Sequence, residues 1–218
     1  MSEHTLKIHE IYLSIQGEST FAGLPCVFVR TTGCPLRCRW CDTPQAFSEG
    51  ERLDVDAIVA TVAGYDSTAI VEVTGGEPLM QKNVLPRMTA LCDAGRTVLL
   101  ETCGALDVVP VDPRVHIIMD IKCPDSGEVQ RNRWENVAHL RPERDEIKLV
   151  LASRDDYVFA RDVIRERDLS RHGRVLLSTV FGALDPADVV AWMLDDHLPA
   201  RFQLQLHKAI WGAETPGV

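Results

Sequence analysis

Short runs of β-branched and aliphatic residues alternate with helix-patterned stretches along almost the whole chain. Strands are expected at Cys26–Thr31, Ala69–Thr74, Thr97–Glu101, His116–Ile121, Glu146–Leu151, Val175–Ser178 and Arg201–Gln205. Helices are expected between them at Val55–Ala63, Val84–Ala94, Asp155–Arg167 and Pro186–Asp195. The last of these opens on Asp185-Pro186, an acidic cap followed by proline in the first turn. The Ala94-Gly95 pair closes an earlier one with glycine just past its end. Such alternation implies an α/β fold in which a largely parallel sheet is joined by helical crossovers.

In sheets of this kind functional groups gather beyond the carboxyl ends of the strands. The polar motifs obey that rule. A cysteine-rich loop follows the first expected strand, and Thr74-Gly75-Gly76-Glu77-Pro78 follows the second. Glu101-Thr102 ends the third and Asp120-Ile121-Lys122 the fourth. One rim of the sheet therefore collects the chemistry.

Composition narrows the partners. The 218 residues suit one domain spanning 1–218. With 23 basic against 32 acidic residues the formal charge is -9, which disfavours a phosphate-neutralising nucleic-acid role. No run approaches the ~20 apolar residues of a membrane helix. The start, Met1-Ser2-Glu3-His4, lacks the basic and apolar regions of a signal peptide, so a cytoplasmic location is expected. Seven cysteines in such a compartment argue against disulfides. Cys26, Cys92, Cys103 and Cys123 read as buried or incidental thiols.

The remaining three are clustered in Gly33-Cys34-Pro35-Leu36-Arg37-Cys38-Arg39-Trp40-Cys41-Asp42-Thr43. Thiolates are soft donors suited to iron–sulfur clusters, zinc or copper(I). A structural zinc ion or an electron-transfer cluster wants a fourth ligand, and none stands nearby in the sequence. Three ligands on a four-iron cluster leave one iron open to a substrate or cofactor.

This C-x₃-C-x₂-C loop resembles the signature of the radical S-adenosylmethionine (SAM) superfamily. Gly75-Gly76-Glu77-Pro78 is similar to its second signature, which meets the SAM amino group. The resemblance implies a compact, open partial (β/α) barrel holding a 4Fe–4S cluster on Cys34, Cys38 and Cys41 (loop 33–43). The open iron chelates SAM, whose cleavage yields a 5′-deoxyadenosyl radical. It further implies SAM contacts at Trp40 (against the adenine), Cys41, Asp42, Gly75, Gly76, Glu77, Glu101, Asp120, Ile121, Lys122 and Ser178.

A narrower resemblance rests on Glu10-Ile11-Tyr12-Leu13-Ser14-Ile15-Gln16-Gly17-Glu18-Ser19, which precedes the first expected strand. It is joined by Gly23-Leu24-Pro25, Arg30, Asp42-Thr43, Glu101-Thr102-Cys103-Gly104 and Gln205-Leu206-His207-Lys208. Together these are similar to the 7-carboxy-7-deazaguanine synthase family, often called QueE. Members contract the ring of 6-carboxy-5,6,7,8-tetrahydropterin to 7-carboxy-7-deazaguanine and ammonia, with SAM regenerated, on the way to queuosine and other 7-deazapurines. The resemblance implies a substrate-binding segment 10–19 and a substrate-capping tail 205–218. It implies substrate contacts at Ile15, Gln16, Gly17, Arg30, Thr74, His207 and the terminal Val218, with Mg²⁺ at Thr43. A homodimer and a flavodoxin-type electron donor follow from the same source. Arg30 has the forked geometry that grips a carboxylate. Cys123-Pro124-Asp125 departs from the family pattern, and the tail Trp211–Val218 runs beyond the His207 motif. Two other readings share the cysteine loop: an activating enzyme that makes a glycyl radical on a partner protein, and a non-catalytic iron–sulfur or zinc binding protein.

Overall fold

Alternation within each strand decides which face of the sheet meets the helices. On the strand Ile70–Gly75, Val71 and Val73 point into the hydrophobic core while Glu72 and Thr74 occupy the opposite face. The structure, a computed structural model, describes residues 4–65, 69–213, 215 and 217. Its strands are β1 (Thr5–Ile15), β2 (Pro25–Thr31), β3 (Glu51–Asp54), β4 (Ile70–Gly75), β5 (Thr97–Thr102), β6 (His116–Asp120), β7 (Glu146–Leu151), β8 (Arg174–Thr179) and β9 (Arg201–Phe202). The helices are α1 (Val55–Ala63), α2 (Val84–Asp93), α3 (Arg154–Glu166), α4 (Pro186–Asp195) and α5 (Leu206–Trp211).

The strands form one sheet in the order β3-β1-β2-β4-β5-β6-β7-β8-β9. From β2 to β9 neighbours pair parallel, whereas β1 pairs antiparallel with both β2 and β3. The sheet is open, with β3 and β9 at its edges. Helices α1 to α4 seal its outer face through residues such as Ile58, Met88, Leu91, Tyr157 and Val189, all at or near zero exposure. Burying each such side chain contributes roughly 1.5–3 kcal/mol. Caps fix where the helices start: the Asp54, Ser153 and Asp185 side chains accept the N–H groups of Asp56, Asp156 and Ala187.

All seven expected strands and four expected helices occur, with bounds shifted by a residue or so. Three elements are additional. Glu10–Ile15, expected as a segment ahead of the first strand, lies within β1, the longest strand of the sheet. β3 pairs with its start, and α5 takes up much of the tail. The last expected strand is shorter, ending at Phe202 because β9 is an edge strand paired at only two positions.

Candidate active site

The antiparallel β1 ends beside Pro25, at the rim opposite the cysteine loop. The loop that leaves it, 16–24, folds back across the inner face of the sheet. Gln16 N donates to Leu24 O at 2.8 Å and Gly23 N to Gln16 O at 2.8 Å, closing the loop on itself. The Thr20 backbone and hydroxyl donate to Glu146 at the start of β7, and Phe21 meets His116 of β6 edge-on at 5.1 Å. Glu18 and Gln16 are thereby buried among the inward residues of β4, β5 and β7.

Those inward residues form rows across the sheet. Register sets Glu10 beside Arg30 and Arg30 beside Thr74. The Thr74 hydroxyl donates to Glu101 at 3.2 Å. Arg30 Nε donates to Glu10 at 2.8 Å and one Nη to the Tyr12 hydroxyl at 3.0 Å, which leaves the other Nη for a ligand anion. Lys148 sits below this row. It bonds Glu18 at 2.7 Å and also Glu101, with Asp120 at 3.6 Å. Burial pushes the Glu101 carboxyl up, but the Lys148 ammonium outweighs it and holds the group at about 2.

The C-terminal residues close the other side. Leu206 N donates to Gly17 O at 2.9 Å, and Gln205 Nε2 to Glu18 at 2.5 Å. Gly17 lies under the His207 ring. Lys208 donates to Asp42 at 2.8 Å, tying α5 to the end of the cysteine loop, where Thr43 also donates to Asp42 at 3.0 Å.

The two signature loops touch. Gly76 N donates to Thr31 O and Glu77 N to Gly33 O, at 3.1 and 2.6 Å. A Cβ on Gly76 would meet Gly33 C at 2.7 Å and Cys34 Cβ at 3.0 Å, so only glycine allows this approach. Glu77 is fully buried, and Leu79 N, the Thr102 hydroxyl and Cys103 N all donate to its carboxylate. Its work is to hold the Gly-Gly turn against the end of β5.

Cys34, Cys38 and Cys41 are half-buried free thiols on this loop. The neighbouring Cys103 thiol, read from sequence as incidental, draws the Cys34 thiol down to about 7; burial pushes Cys38 and Cys41 up. Among the described residues no three His, Cys, Asp or Glu side chains converge as for a single metal ion. Three thiols on one short loop are soft donors of the kind iron–sulfur clusters take. The soft donor set therefore fits the cluster. For SAM, Trp40, Asp120, Ile121 and Lys122 line one narrow cleft. Asp120 Oδ1 and, elsewhere on the rim, Ser178 Oγ are buried without a hydrogen-bond partner among the described residues. Such orphaned acceptors and donors suit a polar ligand. Gln203, which the sequence did not point to, has both amide ends in the same state. It lines a cavity of about 360 Å³ at the ends of β8 and β9, beside Thr179 and Gln205.

A radical SAM superfamily model matches residues 28–120. The chain is 48% identical over its full length to the 7-carboxy-7-deazaguanine synthase of Chlorobaculum tepidum, covering 99% of that protein. It belongs to the 7-carboxy-7-deazaguanine synthase family. The synthase of Koribacter versatilis is 42% identical over 98% of this chain and 100% of its own length. The crystal structure of QueE from Escherichia coli superposes with a TM-score of 0.70 at 21% identity, covering 93% of this chain and 95% of that one. The fold is thus the radical SAM fold, as an open sheet and not a closed barrel. Membership brings a 4Fe–4S cluster and SAM as cofactors of an enzyme.

Register sets Arg30 beside Thr74, the His207 ring lies over Gly17, and Lys208, next to His207, holds Asp42 beside Thr43. The Gln16 side chain is taken up by protein partners, donating to Glu72 and accepting from Glu18 N at 3.0 Å. Val218 lies outside the described residues. Glu18 and Gln205 were read only as members of segments 10–19 and 205–218, and Glu72 and Lys148 were missed. A charge inside an otherwise apolar strand, as in Val-Glu-Val-Thr or Ile-Lys-Leu-Val, was the signal available for these two.

Proposed function

We propose that this chain converts 6-carboxy-5,6,7,8-tetrahydropterin to 7-carboxy-7-deazaguanine and ammonia, and that the chamber between Arg30, Glu101 and His207 holds the pterin. The observation that carries this is a forked cation and a carboxylate set side by side, half-buried, on the inner face of the sheet with Thr74 between them. Arg30, steadied by Glu10 and Tyr12, takes the substrate carboxylate. Glu101, kept ionised by Lys148, and the neighbouring Glu18 accept N–H groups of the aminopyrimidinone edge. Thr74 and the Gly17 backbone fix the plane of the ring, and His207 covers it.

When bound, the cluster and SAM supply the one-electron chemistry that removes a hydrogen atom from carbon. Cys34, Cys38 and Cys41 hold the cluster; Gly75, Gly76, Asp120, Ile121, Lys122, Ser178 and Trp40 hold SAM. The protein's contribution is alignment of two ligands across a dry chamber. Thr43 and the adjoining Asp42 carboxylate offer hard oxygen donors to Mg²⁺, with substrate and water completing the shell. A homodimer, a flavodoxin-type reductant and a cytoplasmic location complete the proposal. Among the described residues no helix is long and apolar enough to cross a membrane.

Anaerobic reconstitution tests the reading. The protein should bind four irons per chain, cleave SAM on reduction, and convert the carboxytetrahydropterin to a deazapurine chromophore with release of ammonia. SAM cleavage without that product would discard the substrate assignment.

A further inference from the structure

Glu72 is 2% exposed, in the middle of a strand whose neighbours Val71 and Val73 are apolar. An apolar side chain would fill the space without burying a carboxyl. Two contacts explain the carboxyl. Gln16 Nε2 donates to Glu72 Oε2, and parallel register pairs Glu72 with Leu99, which sets Glu101 diagonally beside Glu72 on the same inner face, within reach of its carboxyl. Two carboxyl groups can bond to each other only through a proton held between them. Lys148 bonds Glu101 directly, so the negative charge settles on Glu101 and the proton on Glu72.

We infer that Glu72 is a positioning residue: through this shared proton it orients the Glu101 carboxylate toward the substrate, and through Gln16 it seats the loop carrying Gly17. The role rests on the pterin reading above, because Glu101 matters only if a ligand meets it. The groups facing Glu72 come from every neighbouring element: Tyr12 on β1, Cys26 on β2, Glu101 on β5, Lys148 on β7 and Glu18 in the loop. Burial, then the Glu101 charge, push the Glu72 carboxyl well above the ordinary range, with Lys148 opposing. The proton is therefore held to higher pH than on an ordinary carboxyl and is lost as pH rises. Its loss would set two carboxylates against each other and turn the Glu101 carboxylate from its place.

Glu72→Gln and Glu72→Val separate this role from simple packing. The Gln amide reproduces the neutral acid, donating to Glu101 and accepting from Gln16. E72Q should keep the substrate KM within about twofold of wild type, while E72V, which removes the acceptor of Gln16 Nε2 and the neighbour that orients Glu101, should raise it about tenfold or more. Any alkaline rise of the wild-type KM that comes from loss of the shared proton should be missing in E72Q. A protonated-carboxyl carbonyl band should appear in the infrared spectrum of the wild type at neutral pH and vanish in E72Q. An E72V enzyme with unchanged KM, an E72Q enzyme with the same alkaline rise as wild type, or no such band would each overturn the inference. If E72V fails to fold, E72Q and the band still decide it. A wild type that leaves the pterin unconverted removes the substrate role, whereas the band, read without substrate, reports the shared proton independently.

Discussion

Gly17 and His207 approach each other more closely than any side chain at position 17 would permit. A Cβ there would overlap the imidazole, with even the ring carbon Cγ at only 3.0 Å. The loop from β1 and the start of α5 are thus fitted to one another across the mouth of the chamber.

Gly17→Ala should therefore displace His207 and α5 while leaving the cysteine loop intact. A misplacement of about 1 Å can cost on the order of 100-fold in rate. We expect a loss of that order in kcat/KM for the pterin, with iron content and SAM binding retained. Steady-state assays beside iron analysis check this, and an unaffected kcat/KM would dissociate Gly17 from the site.

Replacing Cys34, Cys38 or Cys41 by Ala should abolish the cluster, because each of the three supplies one of the ligands. Cys92→Ala, on α2 and far from the loop, should keep four irons per chain. Iron and sulfide assays on the four variants separate ligands from bystanders. A variant of the triplet that still assembles a full cluster would reassign its ligand.

Lys148→Met should destabilise the fold strongly. The ammonium neutralises Glu18 and Glu101 and stands 3.6 Å from Asp120, in a side chain only 6% exposed. Removing one member of a buried charge set typically costs about 3–5 kcal/mol, since the others remain buried and unpaired. Urea unfolding at neutral pH measures it; a change below about 1 kcal/mol would mean that water reaches the cluster.

Stability should also fall in acid through Glu101. Its folded-state value of about 2 lies below that of an unfolded glutamate. The stabilisation is complete above the unfolded value, about 4.3, and is lost as pH falls through about 2. Glu101→Gln should flatten the urea-derived stability profile across that window relative to wild type. Parallel profiles for the two proteins would show that Lys148 does not hold this carboxylate.

Much of this was legible in the chain. The Val-Glu-Val-Thr-Gly-Gly-Glu-Pro stretch announces both a buried strand and the turn that ends it, because the alternation and the glycines are local. The cysteine spacing is local in the same sense. What escaped was β1, whose Glu10, Tyr12 and Ser14 alternate with apolar residues and yet sit within a segment dominated by its motif. Glu77, read from sequence as a SAM contact or a residue that orders its loop, clamps Leu79, Thr102 and Cys103 in the fold.

By itself the sequence determined the α/β alternation, the rim on which the chemistry gathers, and the three-cysteine loop with its Gly-Gly partner. Each depends on neighbours a few residues apart. Only the tertiary structure decided that loop 16–24 turns back into the sheet. The same holds for Glu72 meeting Glu101, and for Lys148 balancing carboxylates 130 and 47 residues away in the chain. Those relations are set by strand register and by the demand that buried charge be paired, and no local pattern encodes which partner will arrive.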